Sequence, residues 1–482
     1  MSTRQLEPSL LWKHFNDLNA VPRPSKKEER VIQFMIDFAA RIGLPCDTDE
    51  VGNVKITKPA TPGMENRKTV VLQSHLDMVH QKNNDTVFDF DTQGIEMYVD
   101  GDWVRARGTT LGADNGIGVA AIMAVLERSD IAHPPIEALF TIDEETGMTG
   151  AKSLKPNWIK GEVLLNLDTE EDDEIDIGCA GGIDTTATLD YKSESPAADS
   201  VGIKVVVSGL KGGHSGMDIH KGHGNANKWL VRLLLDTEER FGLRLARFDG
   251  GGLRNAIPRE ASAELAVLDV SGFKAHIGTM SEKIAAEFGS IEPNLNIGVV
   301  EVACPKDVVP LDTQQKILAA LMAMPNSVFR MSPDMEDLVE TSSNLARVII
   351  EPEHFEMHSL QRSSVESTKD EIAAAVRSVF MLMGADVTHS GSYPGWKPNP
   401  NSAITELLVQ KYRQQFNEEP QVVACHAGLE CGLIGEAYPQ LDMISFGPTI
   451  RGAHSPDERV SISSVQKFWG YLVEILKDIP LA

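Results

Sequence analysis

The sequence predicts an α/β fold in which a mostly parallel central sheet, flanked by helices, is interrupted by an inserted α+β domain. Three observations lead to this prediction. Short apolar runs alternate with helical patterns in the first third of the chain. The middle of the chain has a different order of strand-like and helical patterns, and an apolar run like those of the first third occurs again near the end. We expect the sheet domain to comprise residues 1–184 and 392–482, and the insertion to comprise residues 185–391.

The central sheet is predicted from short apolar runs. They are Thr69–Ser74, Glu137–Ile142, Glu162–Leu167 and Leu441–Phe446, with a helical pattern at Gly116–Glu127. Polar residues follow these runs closely. Because open α/β sheets place their sites at the carboxyl ends of the strands, we expect functional side chains at these positions.

The insertion repeats strand and helix patterns in the order βαββαβ, which predicts a ferredoxin-like α+β domain of two similar halves. No short-period repeat or low-complexity tract occurs, which argues against a solenoid. Strands are predicted at Val201–Leu210, Ala261–Val270 and Arg347–Leu360, and helices at Ala226–Phe241, Lys274–Phe288 and Lys369–Met383.

Composition and charge exclude several classes of protein. Apolar residues make up 42% and charged residues 24%, as in ordinary globular proteins. With 70 acidic and 45 basic side chains the formal net charge is -25, which would repel nucleic acid and anionic membranes. The start of the chain lacks a signal-peptide pattern, no long uninterrupted apolar run occurs, and the five cysteines form no CxxC pair. We therefore expect a cytoplasmic protein with reduced thiols.

The motif Ser74-His75-Leu76-Asp77 ends the first predicted strand. Two residues of extended chain place His75 and Asp77 on the same side, so His75 could bind a metal while Asp77 orients it. A strand-end histidine that simply pairs with a neighbouring aspartate is the alternative.

Asp114 lies where a glycine-rich turn enters the helical pattern. It could be the N-cap of that helix. Its two carboxylate oxygens could also bridge two cations about 3.5–4 Å apart, as two-metal hydrolytic sites require.

Glu144 and Glu145 are adjacent acids just after the second strand. They could be solvated loop residues. However, neighbouring side chains diverge, so one could bind a metal while the other faces the substrate as the general base.

Asp168 directly ends the third strand, whereas the acids that follow, 170–174, are expected to form a solvated face. His454 lies in a turn-rich loop near the end of the chain and would by itself be read as a surface residue. Two histidines and three carboxylates together form a nitrogen and oxygen ligand set that suits zinc, and also manganese or cobalt.

Eight motifs resemble, in order, those of the dinuclear zinc amidohydrolases that include carnosinase, peptidase T, peptidase V and aminoacylase. They are SHLDMV, LGADNGIG, DEETGMTGA, LDTEED, KGGHSG, RNAIPRE, HAGLECG and GPTIRGAHSPDE. The resemblance runs from about Leu11 to Ile479. It implies a zinc-peptidase-like catalytic domain, an inserted lid and two Zn²⁺ ions per chain that share Asp114. One ion would also be held by His75 and Asp168, and the other by Glu145 and His454.

The same resemblance implies that Asp77 is the orienting carboxylate and Glu144 the general base. Four residues match positions that contact the substrate in this family: His214, Asn255, Arg362 and Gly428. From the sequence alone, Arg362 could instead be a surface arginine on a strand. The implied activity is hydrolysis of dipeptides with free C-termini, including those that end in histidine, by a homodimer. A tripeptide aminopeptidase, an N-acyl amino acid deacylase and an inactive binding protein are the alternatives.

Overall fold

The chain divides into two compact units in the computed structural model, which describes residues 3–482. The first unit comprises the residues up to Gly178 together with Trp396–Ala424 and Leu429–Ala482. The second comprises Cys179–Gly395 and the short later segment Cys425–Gly428. The residues expected to form the insertion, 185–391, all lie in the second unit.

Strands and helices alternate along both units. In chain order the strands are β1 (Cys46–Thr48), β2 (Val54–Lys58), β3 (Val70–His75), β4 (Met97–Asp100), β5 (Trp103–Ala106), β6 (Ile136–Thr141), β7 (Val163–Asn166), β8 (Glu174–Cys179), β9 (Gly181–Asp190), β10 (Val201–Ser208), β11 (Arg244–Gly251), β12 (Ala261–Val267), β13 (Asn296–Val302), β14 (Ser327–Met331), β15 (Val339–Glu351), β16 (His354–Ser363), β17 (Asp386–Tyr393), β18 (Gln421–Cys425), β19 (Asp442–Ser445), β20 (Ile450–Arg451) and β21 (Arg459–Ser461). The helices are α1 (Ser9–Asn19), α2 (Glu29–Ile42), α3 (Ala113–Glu127), α4 (Thr149–Lys152), α5 (Ala226–Phe241), α6 (Val270–Phe288), α7 (Leu311–Ala323), α8 (Glu366–Leu382), α9 (Ala403–Phe416), α10 (Glu430–Ala437) and α11 (Ile462–Lys477). Within residues 3–482, none of these helices combines the length and apolar character needed to cross a bilayer.

The main sheet of the first unit has the strand order β1-β2-β6-β3-β7-β19-β8-β18. Its centre is parallel, because β3 pairs in parallel with β6 and β7, and β7 pairs in parallel with β19. The flanking pairs that involve β1, β2 and β8 are antiparallel. All residues of β3, β6 and β7 are buried, as expected of strands covered on both faces. The predicted α/β domain is confirmed, with the parallel pairs at its centre.

Helix α3 is buried on all sides. Every residue from Asn115 to Leu126 is buried, which explains why this segment carries apolar residues around its whole circumference. The helix spans Ala113–Glu127, but Asp114 and Asn115 have non-helical backbone angles, so its regular part begins near the predicted start at Gly116. Asp114 therefore lies at the irregular start of a buried helix.

The second unit contains two βαββαβ repeats. The first repeat is β10-α5-β11-β12-α6-β13, with the sheet order β13-β10-β12-β11. The second is β9-α7-β15-β16-α8-β17, with β14 added beside β15 and the sheet order β15-β16-β9-β17. In both repeats the first and third strands are central, which is the ferredoxin-like order. The first repeat is inserted between β9 and α7 of the second, and the two repeats join where β11 pairs antiparallel with β15.

The core of the second unit lies between the sheet and its helices. Leu230 of α5, Ile277 of α6 and Val376 of α8 pack in the same buried cluster as Phe248 and Phe355 of the sheet. Burying such aliphatic and aromatic side chains contributes roughly 1.5–3 kcal/mol each. The helices thus gain their stability from the apolar face that they turn toward the sheet.

One predicted strand is wrong. The run Arg347–Leu360 contains a turn, because β15 ends at Glu351 and β16 begins at His354, and these two residues pair across the hairpin. The apolar alternation continues on both sides of the turn, so it gave no sign of a break. Pro352 is the signal in the sequence, since proline cannot donate a hydrogen bond within a sheet.

Candidate metal centre

Three neighbouring strands bring most of the candidate ligands to one edge of the sheet. β3 ends at His75, β6 is followed closely by Glu144 and Glu145, and β7 is followed by Asp168. The strands are adjacent and parallel, and His75 lies opposite Thr141, the last residue of β6. Their carboxyl ends therefore meet, as the sequence predicted.

The two nitrogens of His75 face different partners. Nε2 lies 3.2 Å from Oδ1 of Asp114 and 3.6 Å from Oδ1 of Asp168. Nδ1 lies 3.3 Å from Oδ1 of Asp77, which also accepts the backbone N–H of Glu144 at 3.0 Å. The second oxygen of Asp77 accepts the N–H of Glu145 at 3.3 Å. Asp77 thus fixes both the imidazole ring and the start of the Glu144 loop.

Asp114 contacts both candidate histidines, each through a different oxygen. Its Oδ1 faces His75, whereas its Oδ2 lies 3.3 Å from Nε2 of His454. His454 is also 2.9 Å from Oε2 of Glu145. The side chains therefore form two groups that share Asp114: one with His75 and Asp168, the other with His454 and Glu145.

These spacings fit two tetrahedral cations. Ligand atoms about 2.1 Å from a zinc ion lie roughly 3.4 Å apart along the edges of a tetrahedron. The contacts within the two groups span 2.9–3.6 Å. Oε1 of Glu145 is also buried without a hydrogen-bond partner among the residues that the structure describes, and a cation would satisfy it.

The electrostatics of the cluster favour bound cations. Burial raises the pKa of both Glu145 and Asp168 above the usual range, although the nearby histidines act in the opposite direction. Hydrogen bonds to Asp114 and Glu145 raise the pKa of His454 to about 11. The site therefore attracts positive charge, and a metal ion would displace protons from it.

Glu144 diverges from Glu145 and occupies a different environment. Burial raises the pKa of Glu144 well above its ordinary value, and neighbouring carboxylates, including Glu430, add to this rise against the effect of His75. A carboxyl group with a raised pKa binds a proton more readily than an ordinary one. Glu144 is therefore the candidate general base, whereas Glu145 contacts His454.

Two buried residues that the sequence analysis missed hold Asp114. The carboxylate of Glu458 accepts the backbone N–H groups of four successive residues, 111–114, at 2.6–3.2 Å. Arg23 donates to the carbonyls of Leu76, Asp77 and Gly112. Gly112 has a φ of +70°, and a Cβ there would lie 2.6 Å from the guanidinium of Arg23. The GAHSPDE motif contains Glu458, but nothing in the sequence singled out Arg23.

Asn115, also missed, orients Asp168. Its Nδ2 donates to the carbonyl of Leu167 at 2.7 Å and to Oδ1 of Asp168. The interpretation of the following acids as solvated is wrong for Glu170. Its side chain is half-buried near Asp114 and Asp168, and burial raises its pKa to about 8.

The other predicted site residues lie in the second unit. Arg362 on β16 is only 4% exposed, so the alternative of a surface arginine is wrong. Its Nη1 donates to the hydroxyl of Tyr393 at 2.8 Å and its Nε donates to Ser215 at 3.3 Å. In the part of the chain that the structure describes, no carboxylate forms an ion pair with Arg362. A buried guanidinium of this kind is suited to an anionic ligand.

His214 is held in one tautomer. Its Nδ1 accepts the backbone N–H groups of Gly216 and Met217, both at 3.2 Å, so the neutral ring carries its proton on Nε2. Burial and the charge of Arg362 lower the pKa of His214, which keeps the ring neutral. Nε2–H is therefore available as a hydrogen-bond donor.

Asn255 and Gly428 lie on loops close to these two residues in the second unit. The carbonyl of Asn255 accepts the N–H of Ser215 at 2.8 Å, and Asn255 is exposed. Gly428 ends the segment 425–428, in which Nε2 of His426 lies 2.8 Å from the hydroxyl of Ser342. Ser342 pairs with Arg362 across β15 and β16. The second unit thus gathers His214, Asn255, Arg362 and Gly428, and the first unit gathers the other seven candidates.

Comparisons with known proteins agree with this description. The chain is 47% identical over 478 residues to the cytosol non-specific dipeptidase of Escherichia coli (strain K12), with 99% of both chains covered. Its fold matches the crystal structure of aminoacylhistidine dipeptidase from Vibrio alginolyticus with a TM-score of 0.96 and 45% identity, over 100% of this chain and 99% of that one. Aminopeptidase PepT from Bacillus cereus, at 16% identity and a TM-score of 0.59 over 98% of this chain and 99% of that one, shares the fold.

Residues 71–478 match the family described as Peptidase family M20/M25/M40, which agrees with the resemblance carried by the eight motifs. The match extends from strand β3 to the end of helix α11. Because it covers most of the chain and near full-length identity to a member accompanies it, the chain belongs to Peptidase family M20/M25/M40.

Proposed function

We propose that this protein is a metal-dependent dipeptidase that binds two zinc ions per chain. The observation that best supports this proposal is the position of Asp114, whose two oxygens face His75 and His454 separately. Each histidine has its own second carboxylate, Asp168 or Glu145. One ion would be held by each group, and cobalt or manganese could replace zinc because the donors are nitrogen and oxygen atoms.

Bound zinc would polarise the peptide carbonyl and make a water molecule acidic enough to react at neutral pH. Glu144 takes the proton from that water and returns it to the leaving amine. Asp77 holds the backbone of Glu144 in place through the hydrogen bond at 3.0 Å. The raised pKa of Glu144 suits a group that must bind a proton and then release it.

The residues of the second unit would bind the substrate. Arg362 would pair with the C-terminal carboxylate through its planar guanidinium, which favours short peptides with a free C-terminus. His214 would donate Nε2–H to the oxyanion that develops on the scissile carbonyl. Asn255 and Gly428 would contact the substrate backbone. One chain supplies His214 and Arg362 from its two different repeats.

Dipeptides are the proposed substrates, including those that end in histidine. The names of the two full-length relatives, a non-specific dipeptidase and an aminoacylhistidine dipeptidase, support this choice. We also propose that the protein works in the cytoplasm, as the name of the E. coli relative says of that protein, and that it forms a homodimer. Sedimentation of the purified protein would measure its oligomeric state.

The direct test is an assay of the purified protein on Ala-His, carnosine, a tripeptide and an N-acetyl amino acid. Each substrate is offered before chelation, after chelation and after zinc is restored, and metal content is measured in parallel. We expect the two dipeptides to be cleaved only when metal is present, and we expect Glu144→Ala to bind metal without cleaving either.

Other outcomes would assign the site differently. Preferential cleavage of the tripeptide would indicate an aminopeptidase, and activity on the acetylated substrate alone would indicate a deacylase. Bound metal without hydrolysis of any substrate would contradict the enzymatic proposal and favour a binding role.

A further inference from the structure

A row of buried polar side chains crosses the centre of the first unit's sheet. It has one member on each of five adjacent strands and two further members beside them. In sheet order the row consists of Thr141 on β6, Gln73 on β3, Asn166 on β7, Ser445 on β19 and Asp176 on β8, with Glu430 of α10 at the first end and Thr169 beside Asp176. Each member is at most 8% exposed. Such positions in a parallel sheet normally hold Val, Ile or Leu, so the polar row is unexpected there.

The row lies directly beneath the candidate metal ligands. Gln73 precedes His75 by two positions on β3, so the two side chains point to the same face of the sheet. Asn166 is the last residue of β7 and precedes Asp168 by two positions. Thr141 is the cross-strand partner of His75. The row therefore links the three strands that carry the ligands and Glu144 just before those strands end.

Hydrogen bonds join the row without a break. Asn166 donates to Oε1 of Gln73, and Ser445 donates to Oδ1 of Asn166. Thr169 lies 2.8 Å from Ser445 and 2.7 Å from Oδ2 of Asp176. The hydrogen-bonded contacts are continuous from Asp176 to Gln73, so each of these side chains constrains the next.

Asp176 closes the far end of the row. Its Oδ2 accepts the hydroxyl hydrogen of Thr169 at 2.7 Å. Burial raises the pKa of Asp176 to about 7.

Glu430 lies at the other end of the row. Its Oε2 accepts hydrogen bonds from the side-chain N–H of Gln73 at 2.8 Å and from the hydroxyl of Thr141 at 2.7 Å. Glu430 is 1% exposed, and it acts electrostatically on Glu144. The two donors to Glu430 come from the strands that end in His75 and lead to Glu144, so one carboxyl group ties both strand ends together.

We propose that Gln73 and Asn166 are positioning residues, which act through this hydrogen-bonded row to hold the strand ends that carry His75 and Asp168 in metal-binding geometry. The proposal rests on the proposed metal centre. Both residues are fully buried, and neither is among the candidate ligands or the proposed substrate contacts. Their hydrogen bonds prevent the ends of β3 and β7 from shifting relative to each other. Apolar side chains of similar size would fill the same space, but they would not fix the direction of the contact.

The test is a zinc titration of metal-free protein against a chromophoric chelator. In Asn166→Leu the row is broken in the middle, and we expect zinc affinity to fall by about tenfold, the usual effect of removing a group that orients ligands. Ser445→Ala, which removes the hydroxyl that contacts Asn166 and Thr169 and is less disruptive to folding, should weaken affinity by about fivefold. Leu165→Val is the matched control, since Leu165 is equally buried on β7 but faces the opposite side of the sheet.

Wild-type zinc affinity in both Asn166→Leu and Ser445→Ala would overturn the positioning role while leaving the metal centre intact. Equal weakening in Leu165→Val would also overturn it, because general loosening of the strand would then explain the effect. A wild-type protein that bound no zinc would overturn both this inference and the proposed function.

The far end of the row has its own test. Asp176→Asn should keep near wild-type zinc affinity, because its side-chain oxygen can still accept the hydroxyl hydrogen of Thr169, whereas Asp176→Leu should weaken it. Wild-type affinity in Asp176→Leu would contradict a contribution of Asp176 to the row.

Discussion

The carboxylate of Glu458 accepts the backbone N–H of Asp114 at 3.2 Å, across 344 positions of sequence. The same carboxylate accepts three further N–H groups of this loop, so the backbone on the N-terminal side of Asp114 is held by one buried side chain.

Glu458→Gln should therefore weaken both folding and metal binding. One of the two oxygens becomes an NH₂ group that faces N–H donors, and leaving buried donors unsatisfied costs about 1–3 kcal/mol. We expect a lower thermal midpoint for the metal-free protein and weaker zinc binding in a chelator competition. The exposed neighbour Asp457 provides the control, since Asp457→Asn should match wild type in both measurements.

Glu144→Gln and Glu145→Gln should separate catalysis from metal binding. Loss of a general base lowers kcat by about 10²–10⁴. We expect this loss in Glu144→Gln with the zinc content unchanged, because its side chain does not contact the candidate histidines. Glu145→Gln should instead lose zinc affinity, since Glu145 contacts His454 at 2.9 Å. Zinc content and kcat are measured for both variants. Zinc loss in Glu144→Gln, with zinc retained in Glu145→Gln, would show that the two roles are reversed.

His214→Ala should lower kcat by about 10²–10³, the usual effect of removing one donor to an oxyanion. Zinc content should not change. The side-chain amide of glutamine can supply an N–H donor, so His214→Gln should recover part of the rate. A variant that changed KM alone would contradict the assigned role.

Arg362→Lys should raise KM for dipeptides by about 10- to 100-fold, because an ammonium group cannot reproduce the planar pair of donors that a carboxylate accepts. A dipeptide with an amidated C-terminus lacks that carboxylate, so the variant and wild type should cleave it equally slowly. Arg330→Lys is the control: Arg330 is exposed and pairs with Glu340, and its replacement should leave both KM values unchanged.

His14 should make folding sensitive to acid. Burial lowers the pKa of this 1% exposed ring from 6.5 to about 4, although Glu127 lies 3.0 Å away and acts in the opposite direction. The unfolded chain binds a proton in this window and the folded chain does not. Stability is therefore fully present above pH 6.5 and declines as the pH falls toward 4. In His14→Gln, unfolding of metal-free protein should lose up to about 1.4 kcal/mol per pH unit of this dependence.

Sequence patterns found the strand ends but not the residues that hold them. The positions of the candidate ligands at the ends of β3, β6 and β7 follow from short apolar runs, and helix α5 has the predicted limits Ala226–Phe241. Strands β11 and β13 were not predicted. The glycine-rich end of β11 resembles a loop, and β13, although it contains Ile297 and three valines, is interrupted by Gly298.

Local periodicity also carries no information about long-range partners. Arg23 and Glu430 look like ordinary charged residues in the sequence, and only tertiary structure buries them against Gly112 and Gln73 respectively. The polar row could not be predicted from the sequence either, because each strand contributes only one polar residue to it. The motifs of the resemblance contain Glu430 and Glu458 but do not indicate what these residues contact.

The two ends of the first repeat of the second unit lie side by side where that repeat joins the second one. Gly202 of β10 pairs with Val302 of β13, and just outside them Glu194 and Val308 exchange two backbone hydrogen bonds at 2.9 and 2.8 Å. These two bonds hold the ends of the insertion side by side. A segment of roughly one hundred residues could therefore have been inserted here, or could be replaced by that of a relative, without a change in the path of the second repeat.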